Sequence, residues 1–234
     1  MEPKENAEYL KQEYWNERFT KEDHYEWLVS YKDCKQQFQE ALPEDKMHRM
    51  LIIGCGNSSL GYDLWADGYH NIDNIDYAES VIQKMKDKYS EGGECSELRW
   101  ETMDMMNMTY EDGTFDVVID KATMDVVMTD NQDPWNPSEE VSERAIKTLQ
   151  NVFRVLKKDG MFIQISFDQP HFRKKFLLDS QFNWEFSQKN IDHGLGYFIR
   201  CYNNRLTTLD IPTSKKRNQQ VIAKSVCQFG QGVC

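Results

Sequence analysis

Residues 50–76 constrain this chain more than any other stretch. Four apolar residues, Met50-Leu51-Ile52-Ile53, stop at Gly54-Cys55-Gly56-Asn57-Ser58. A short apolar run halted by glycine reads as a buried strand. Residues 58–67 then carry Leu60, Leu64 and Trp65 at helical spacing and end at Gly68, and 71–75 reads as a second strand. A strand, a tight turn, a helix and another strand make a crossover unit, and such units build parallel sheets.

The alternation continues. Val81, Ile82, Met85 and Tyr89 mark a helical face, and Glu91-Gly92-Gly93-Glu94 reads as a loop. Residues 98–101 read as a short strand and 115–119, rich in β-branched side chains, as a stronger one. Over 137–157 the spacing predicts the clearest helix. Asn136 is its cap, Pro137 its first position, Lys157-Lys158 its negative end and Gly160 its stop. Residues 161–166, 184–188 and 197–202 read as further strands. The first forty residues read as helical and aromatic, and Pro43 with Glu44-Asp45-Lys46 closes them. Signals from Thr213 onward are weak. The expected fold is α/β, a doubly wound and mostly parallel sheet with an N-terminal helical lid. The expected units are a lid at 1–45, a main domain at 46–206 and a tail at 207–234.

Composition narrows the partners. The 234 residues include 28 basic and 39 acidic ones, a net charge of −11. A general nucleic-acid binder would be basic, so direct nucleic-acid binding is not expected. Six cysteines make no C-x-x-C, and five scattered histidines give no metal cluster, so no metal site is expected. Reduced thiols, a charged N-terminus unlike a signal peptide and no apolar run of membrane length point to a cytoplasmic protein without a membrane partner.

In a doubly wound sheet, ligands bind beyond the carboxyl ends of the strands. Gly54 and Gly56 follow the first strand, where glycine lets the backbone turn tightly and approach a ligand. Asp76 ends the second strand, 20 residues after Gly56, where a carboxylate can accept both hydroxyls of a ribose. Its bland alternative is a helix cap. A dinucleotide fingerprint wants a third glycine at position 59, where this chain has Ser59, so NAD is disfavoured. S-adenosylmethionine, which has no phosphates, needs only the first two. After the third strand, Asp104 could bond an adenine amino group and Met105 cover the ring, with a plain strand-end carboxylate as the equal alternative. After the fourth, Asp120-Lys121-Ala122-Thr123-Met124-Asp125 forms the floor of a transfer site.

Ile53-Gly54-Cys55-Gly56-Asn57-Ser58, Asp76-Tyr77, Trp100-Glu101-Thr102-Met103-Asp104 and Asp120-Lys121-Ala122-Thr123-Met124-Asp125 resemble class I methyltransferases, and more closely the methyltransferase-like protein 13 group. Glu13-Tyr14-Trp15, Asp133-Pro134-Trp135 and Pro170-His171-Phe172-Arg173 are similar to its elongation factor 1-alpha lysine methyltransferases. The resemblance implies a seven-stranded Rossmann-like sheet, S-adenosylmethionine as cofactor and a lysine of translation elongation factor 1-alpha as acceptor. It also implies cofactor contacts at Trp15, Phe19, Trp27, Gly54, Asp76, Tyr77, Asp104, Met105 and Lys121. Two departures stand out: the family often has glycine where this chain has Ala122, and tyrosine where it has Phe19. Trp15 and Trp27 either pack the N-terminal helix or cover the sulfonium, a cation that an indole face attracts by about 0.5–2 kcal/mol.

No catalytic residue is assigned. Asp120 or Asp125 either guides the incoming ammonium and relays its proton, or bonds nearby backbone. Asp133-Pro134-Trp135 is similar to the Asp-Pro-Pro-Tyr motif of nucleic-acid methyltransferases but lacks a proline, and reads as a loop. Pro170-His171-Phe172-Arg173 either presents a ring and a cation to substrate or anchors a loop. Competing functions are methylation of a small molecule or another protein nitrogen, and a binding module that has lost its chemistry.

Overall fold

The computed structural model describes residues 3–89, 95, 97–129, 135–182, 184–191 and 197–204. At the centre of its sheet lies β1 (Met50–Ile53), whose four residues are all buried. It pairs in parallel with β2 (Ile72–Asp76) on one side and β4 (Phe115–Lys121) on the other. Beyond them lie β3 (Arg99–Thr102) next to β2 and β5 (Leu156–Ser166) next to β4, both parallel. The hairpin of β6 (Trp184–Ile191) and β7 (Tyr197–Asn204) completes the sheet antiparallel to β5, giving the order β3-β2-β1-β4-β5-β7-β6. The expected seven-stranded, mostly parallel sheet is therefore present.

Successive strand side chains point to opposite faces, so the apolar run of β1 feeds two cores. Met50 and Ile52 join the layer that holds Phe38, Leu64, Val81 and Met85. These belong to α2 (Tyr31–Ala41), α3 (Leu60–Ala66) and α4 (Glu79–Tyr89). Leu51 and Ile53 join Leu149, Val152 and Leu177 on the other face, from α6 (Glu139–Val155) and α7 (Pro170–Leu177). Ahead of α2 lie a 3-10 helix (Asn6–Leu10) and α1 (Gln12–Lys21), and α5 (Thr123–Val127) follows β4 directly.

Two expectations about boundaries are corrected. The cap of α6 is Ser138 rather than Asn136, because its hydroxyl accepts the Val141 N–H at 3.3 Å. The helix also stops at Val155, well short of Gly160. Leu156 is already paired with Phe115, so sheet pairing draws Lys157, Lys158 and Gly160 into β5. Residues 170–173 are the start of a helix, not a loop. The expected loop at 91–94, the motif residues Asp133 and Pro134, and the tail beyond 204 lie outside the described residues.

Candidate active site

β1 runs into the glycine turn with both Gly54 (φ +57°) and Gly56 (φ +51°) in the left-handed region. A Cβ on Gly54 would meet the Thr123 side chain at 2.4 Å, so this position is closed to any side chain. The Thr123 hydroxyl lies 3.2 Å from the carbonyl oxygens of both Ile53 and Gly54, which ties α5 to the turn.

Asp76, at the end of β2, is buried. One carboxylate oxygen accepts the Gly56 N–H at 3.0 Å and the other the Ala78 N–H at 2.9 Å. Burial pushes its pKa up to about 6 against the pull of these backbone donors. A carboxylate offers about four lone-pair sites, so both oxygens retain capacity for a ligand while serving the turn. Asp104 plays a local part as well: its carboxylate accepts the Met106 N–H at 2.8 Å and the Asn107 side-chain amide at 2.6 Å.

These strand ends open on a cavity of about 1100 Å³, its open mouth included. Gly54, Gly56, Asp76, Tyr77, Asp104, Met105 and Lys121 line it, as do Trp15, Phe19 and Trp27 from the N-terminal segment. Its walls are mostly apolar with a few convergent polar groups, the character of a small-molecule site. The left-handed glycines, the buried carboxylate and the aromatic wall fit a nucleoside-bearing cofactor.

The aromatic residues do two things at once. Trp15 and Phe19 are buried in the core and stacked at 5.5 Å, while Trp27 stands 6.0 Å from Trp15. The rings already hold a cation: the Arg18 guanidinium lies 5.0 Å from the Trp27 ring, 5.1 Å from Tyr25 and 5.7 Å from Trp15. Glu22 anchors that guanidinium at 3.0 Å.

Lys121 lines the cavity, but its ammonium is committed elsewhere. It donates to Glu26 at 2.6 Å and to the Trp27 carbonyl at 3.1 Å. Glu26 also accepts the Ser59 N–H at 2.7 Å and the Ser58 hydroxyl at 2.8 Å. Burial works against its charge, yet Lys121 and the serine donors hold its pKa below the usual range. One carboxylate thus clamps the N-terminal segment onto the glycine turn and β4. Sequence reasoning missed Glu26, because nothing local separates it from a surface glutamate.

Asp120 and Asp125 do not line the cavity. Asp120 accepts the Thr123 and Met124 N–H groups at 2.9 and 3.1 Å and the Gln164 amide at 3.0 Å. Burial raises it to about 6, with the neighbouring Asp125 adding to the shift. Asp125 accepts from the Ser166 hydroxyl at 2.6 Å and from Arg173 at 2.9 Å. Arg173 is buried and also reaches Asp168 at 2.8 Å, so it presents no cation to a substrate. The floor itself is made by Ala122, Thr123, Val126 and Val127. Ala122 sits at φ +69°, a strained conformation for a residue with a Cβ. The Cys55 thiol is buried and pushed well up, which leaves it protonated and unreactive. Among the described residues no His, Cys, Asp and Glu cluster is placed to hold a metal ion, and no helix is long and apolar enough to cross a membrane.

A doubly wound sheet with a glycine turn, a strand-end carboxylate and a cavity at its switch point defines a nucleoside-binding α/β protein. The family model of the methyltransferase domain matches residues 44–222. The chain therefore belongs to this methyltransferase family and is an S-adenosylmethionine-dependent methyltransferase. It is 33% identical to the EEF1A lysine methyltransferase 4 of Mus musculus, over 86% of this chain and 77% of that protein. It is 36% identical to the eEF1A lysine and N-terminal methyltransferase of the same species, over 74% of this chain but 24% of that longer protein. The N-methyltransferase NodS of Bradyrhizobium japonicum, solved with S-adenosyl-L-homocysteine, has the same fold. Its TM-score is 0.61 at 12% identity, over 82% of this chain and 97% of that one.

Proposed function

We propose that this methyltransferase modifies a protein lysine, and specifically a lysine of translation elongation factor 1-alpha. One observation carries the reading: similarity to a protein named as a lysine methyltransferase of that factor extends over 86% of this chain. Elongation factors work in the cytoplasm, and we place the activity there.

Within the cavity we assign Gly54 and Gly56 to the close backbone approach, Asp76 to the ribose hydroxyls, and Asp104 with Met105 to the adenine. Tyr77, Trp15, Phe19 and Trp27 cover the cofactor, and Lys121 acts through Glu26 by holding that cover shut. S-adenosylmethionine, when bound, supplies an electrophilic methyl group. The acceptor must arrive as a neutral amine. With a pKa near 10.4, only about one free lysine in 2,500 is neutral at pH 7. The aromatic wall of the cavity favours the neutral form by desolvation. Asp120 and Asp125 are engaged elsewhere and do not line the cavity, so neither is assigned the amine's proton.

The test is transfer of label from cofactor to the proteins of a eukaryotic lysate. Label on elongation factor 1-alpha is expected. Label only on other proteins would overturn the substrate, and label on no protein would overturn the protein-lysine reading.

A further inference from the structure

Trp135 is 73% exposed, an unusual state for the largest apolar side chain. It is nonetheless held in place. Its ring stacks on His171 at 4.9 Å and 24°, and meets Phe172 edge-on at 4.9 Å and 70°. Phe167, 54% exposed, leaves the carboxyl end of β5 just ahead of them. A rigid, exposed indole loses little freedom on binding, which is why tryptophan is enriched among interface hot spots.

Two features tie this patch to the cavity. Val127 of α5, before Trp135 in the chain, and Arg144 of α6, after it, both line the cavity. The Arg144 guanidinium also reaches the Val127 carbonyl at 3.4 Å. His171 and Phe172 belong to α7, which follows β5, the neighbour of β4 in the sheet. The patch therefore stands on the carboxyl edge of the sheet, the edge on which the strand ends form the cavity. Charge is the third feature. Glu139, Glu140 and Glu143, exposed on the first turns of α6 immediately after Trp135, outnumber the exposed Lys174 and Lys175 of α7, of which Lys175 is tied to the Trp135 carbonyl at 3.4 Å.

We infer that Trp135, stacked on His171 and Phe172, and the carboxylates of Glu139, Glu140 and Glu143 form the docking surface for the protein substrate. The surface takes the basic segment that flanks the acceptor lysine: the rings take its aliphatic stems and the carboxylates its charges. The inference rests on the protein-lysine reading. It goes beyond that reading by separating a docking surface from the cofactor cavity.

The experiment measures methyl transfer to recombinant elongation factor 1-alpha by the full chain, together with calorimetric affinity for S-adenosyl-L-homocysteine. Trp135→Ala should raise KM for the factor about thirtyfold, the size expected of a hot spot. Because the site is on the surface, cofactor affinity, Tm-derived stability and kcat at saturating factor should stay within about twofold. His171→Ala should move KM in the same direction by less. The triple variant Glu139→Gln, Glu140→Gln, Glu143→Gln should raise KM at low salt and flatten its dependence on ionic strength. Unchanged KM in a folded Trp135→Ala protein, with wild type active on the factor, overturns the docking surface alone. A wild-type protein that leaves the factor unmethylated overturns the substrate reading, and this inference with it.

Discussion

Asp76 offers a test in which stability and function move apart. Its folded pKa of about 6 lies above the unfolded value near 3.9. Between those values the folded state holds the extra proton. Asp76 therefore favours folding at pH below about 4, and that contribution is lost as pH rises through about 6. At neutral pH the buried, ionised carboxylate costs about 3 kcal/mol. Asp76→Asn removes this cost. It also leaves one of the two backbone donors, Gly56 N–H or Ala78 N–H, facing an amide NH2, at about 1–3 kcal/mol. The two effects nearly cancel, so the variant should be about as stable as wild type at pH 7.5 and less stable at pH 5. Cofactor binding has no such compensation. Replacing two charge-assisted ribose bonds with weaker neutral ones should cost about 2–4 kcal/mol, between about thirty- and a thousand-fold in Kd. Urea denaturation at both pH values and calorimetry with S-adenosyl-L-homocysteine read the two quantities. A folded Asp76→Asn protein with wild-type affinity would refute the ribose assignment. A loss of stability well above 3 kcal/mol at pH 7.5 would show the carboxylate to be structural.

Glu26→Gln weakens the clamp on Lys121 and the serines, and stopped-flow mixing should show faster cofactor release; an unchanged rate would mean the N-terminal segment does not gate the cavity. The clamp's carboxylate has a lowered pKa, so its contribution is complete above about pH 4.3 and lost only as pH falls through the lower folded value. Hydrogen exchange over residues 9–31 should slow when cofactor is added, and equal exchange would make this segment simply part of the core. Ala122→Gly should stabilise the fold by about 0.5–1 kcal/mol, because relief of the left-handed strain at φ +69° exceeds glycine's entropic cost; denaturation that shows a loss instead would mean the methyl group is needed for packing.

The sheet and the strand-end part of the cavity wall were legible because their signals are local, whereas Trp15, Phe19, Trp27, Tyr77 and Lys121 are named through the family resemblance alone. An apolar run stopped by glycine marks β1, and the spacing from Gly56 to Asp76 marks the next strand end. What was hidden depends on partners far along the chain. Glu26 looks like any charged residue until the N-terminal segment folds back and brings Lys121, 95 positions away, within 2.6 Å. Arg173, read as a cation for substrate or a loop anchor, is buried against Asp125, 48 positions earlier. Burial of a charge leaves no periodic trace, since it is set by where its counter-ion lands. The ends of α6 were misplaced for a related reason: the pairing of Leu156 with Phe115 is a property of the sheet and overrides the helical pattern that runs on past Val155.

Mass spectrometry of recombinant elongation factor 1-alpha, incubated with this protein and S-adenosylmethionine, tests the central claim most directly. A methyl mass gained on one specific lysine, and strongly reduced at limiting cofactor when Asp76→Asn replaces the wild-type chain, is the predicted result. A factor whose lysines stay unmodified, while another protein of the same lysate gains methyl groups from the same enzyme, would contradict it.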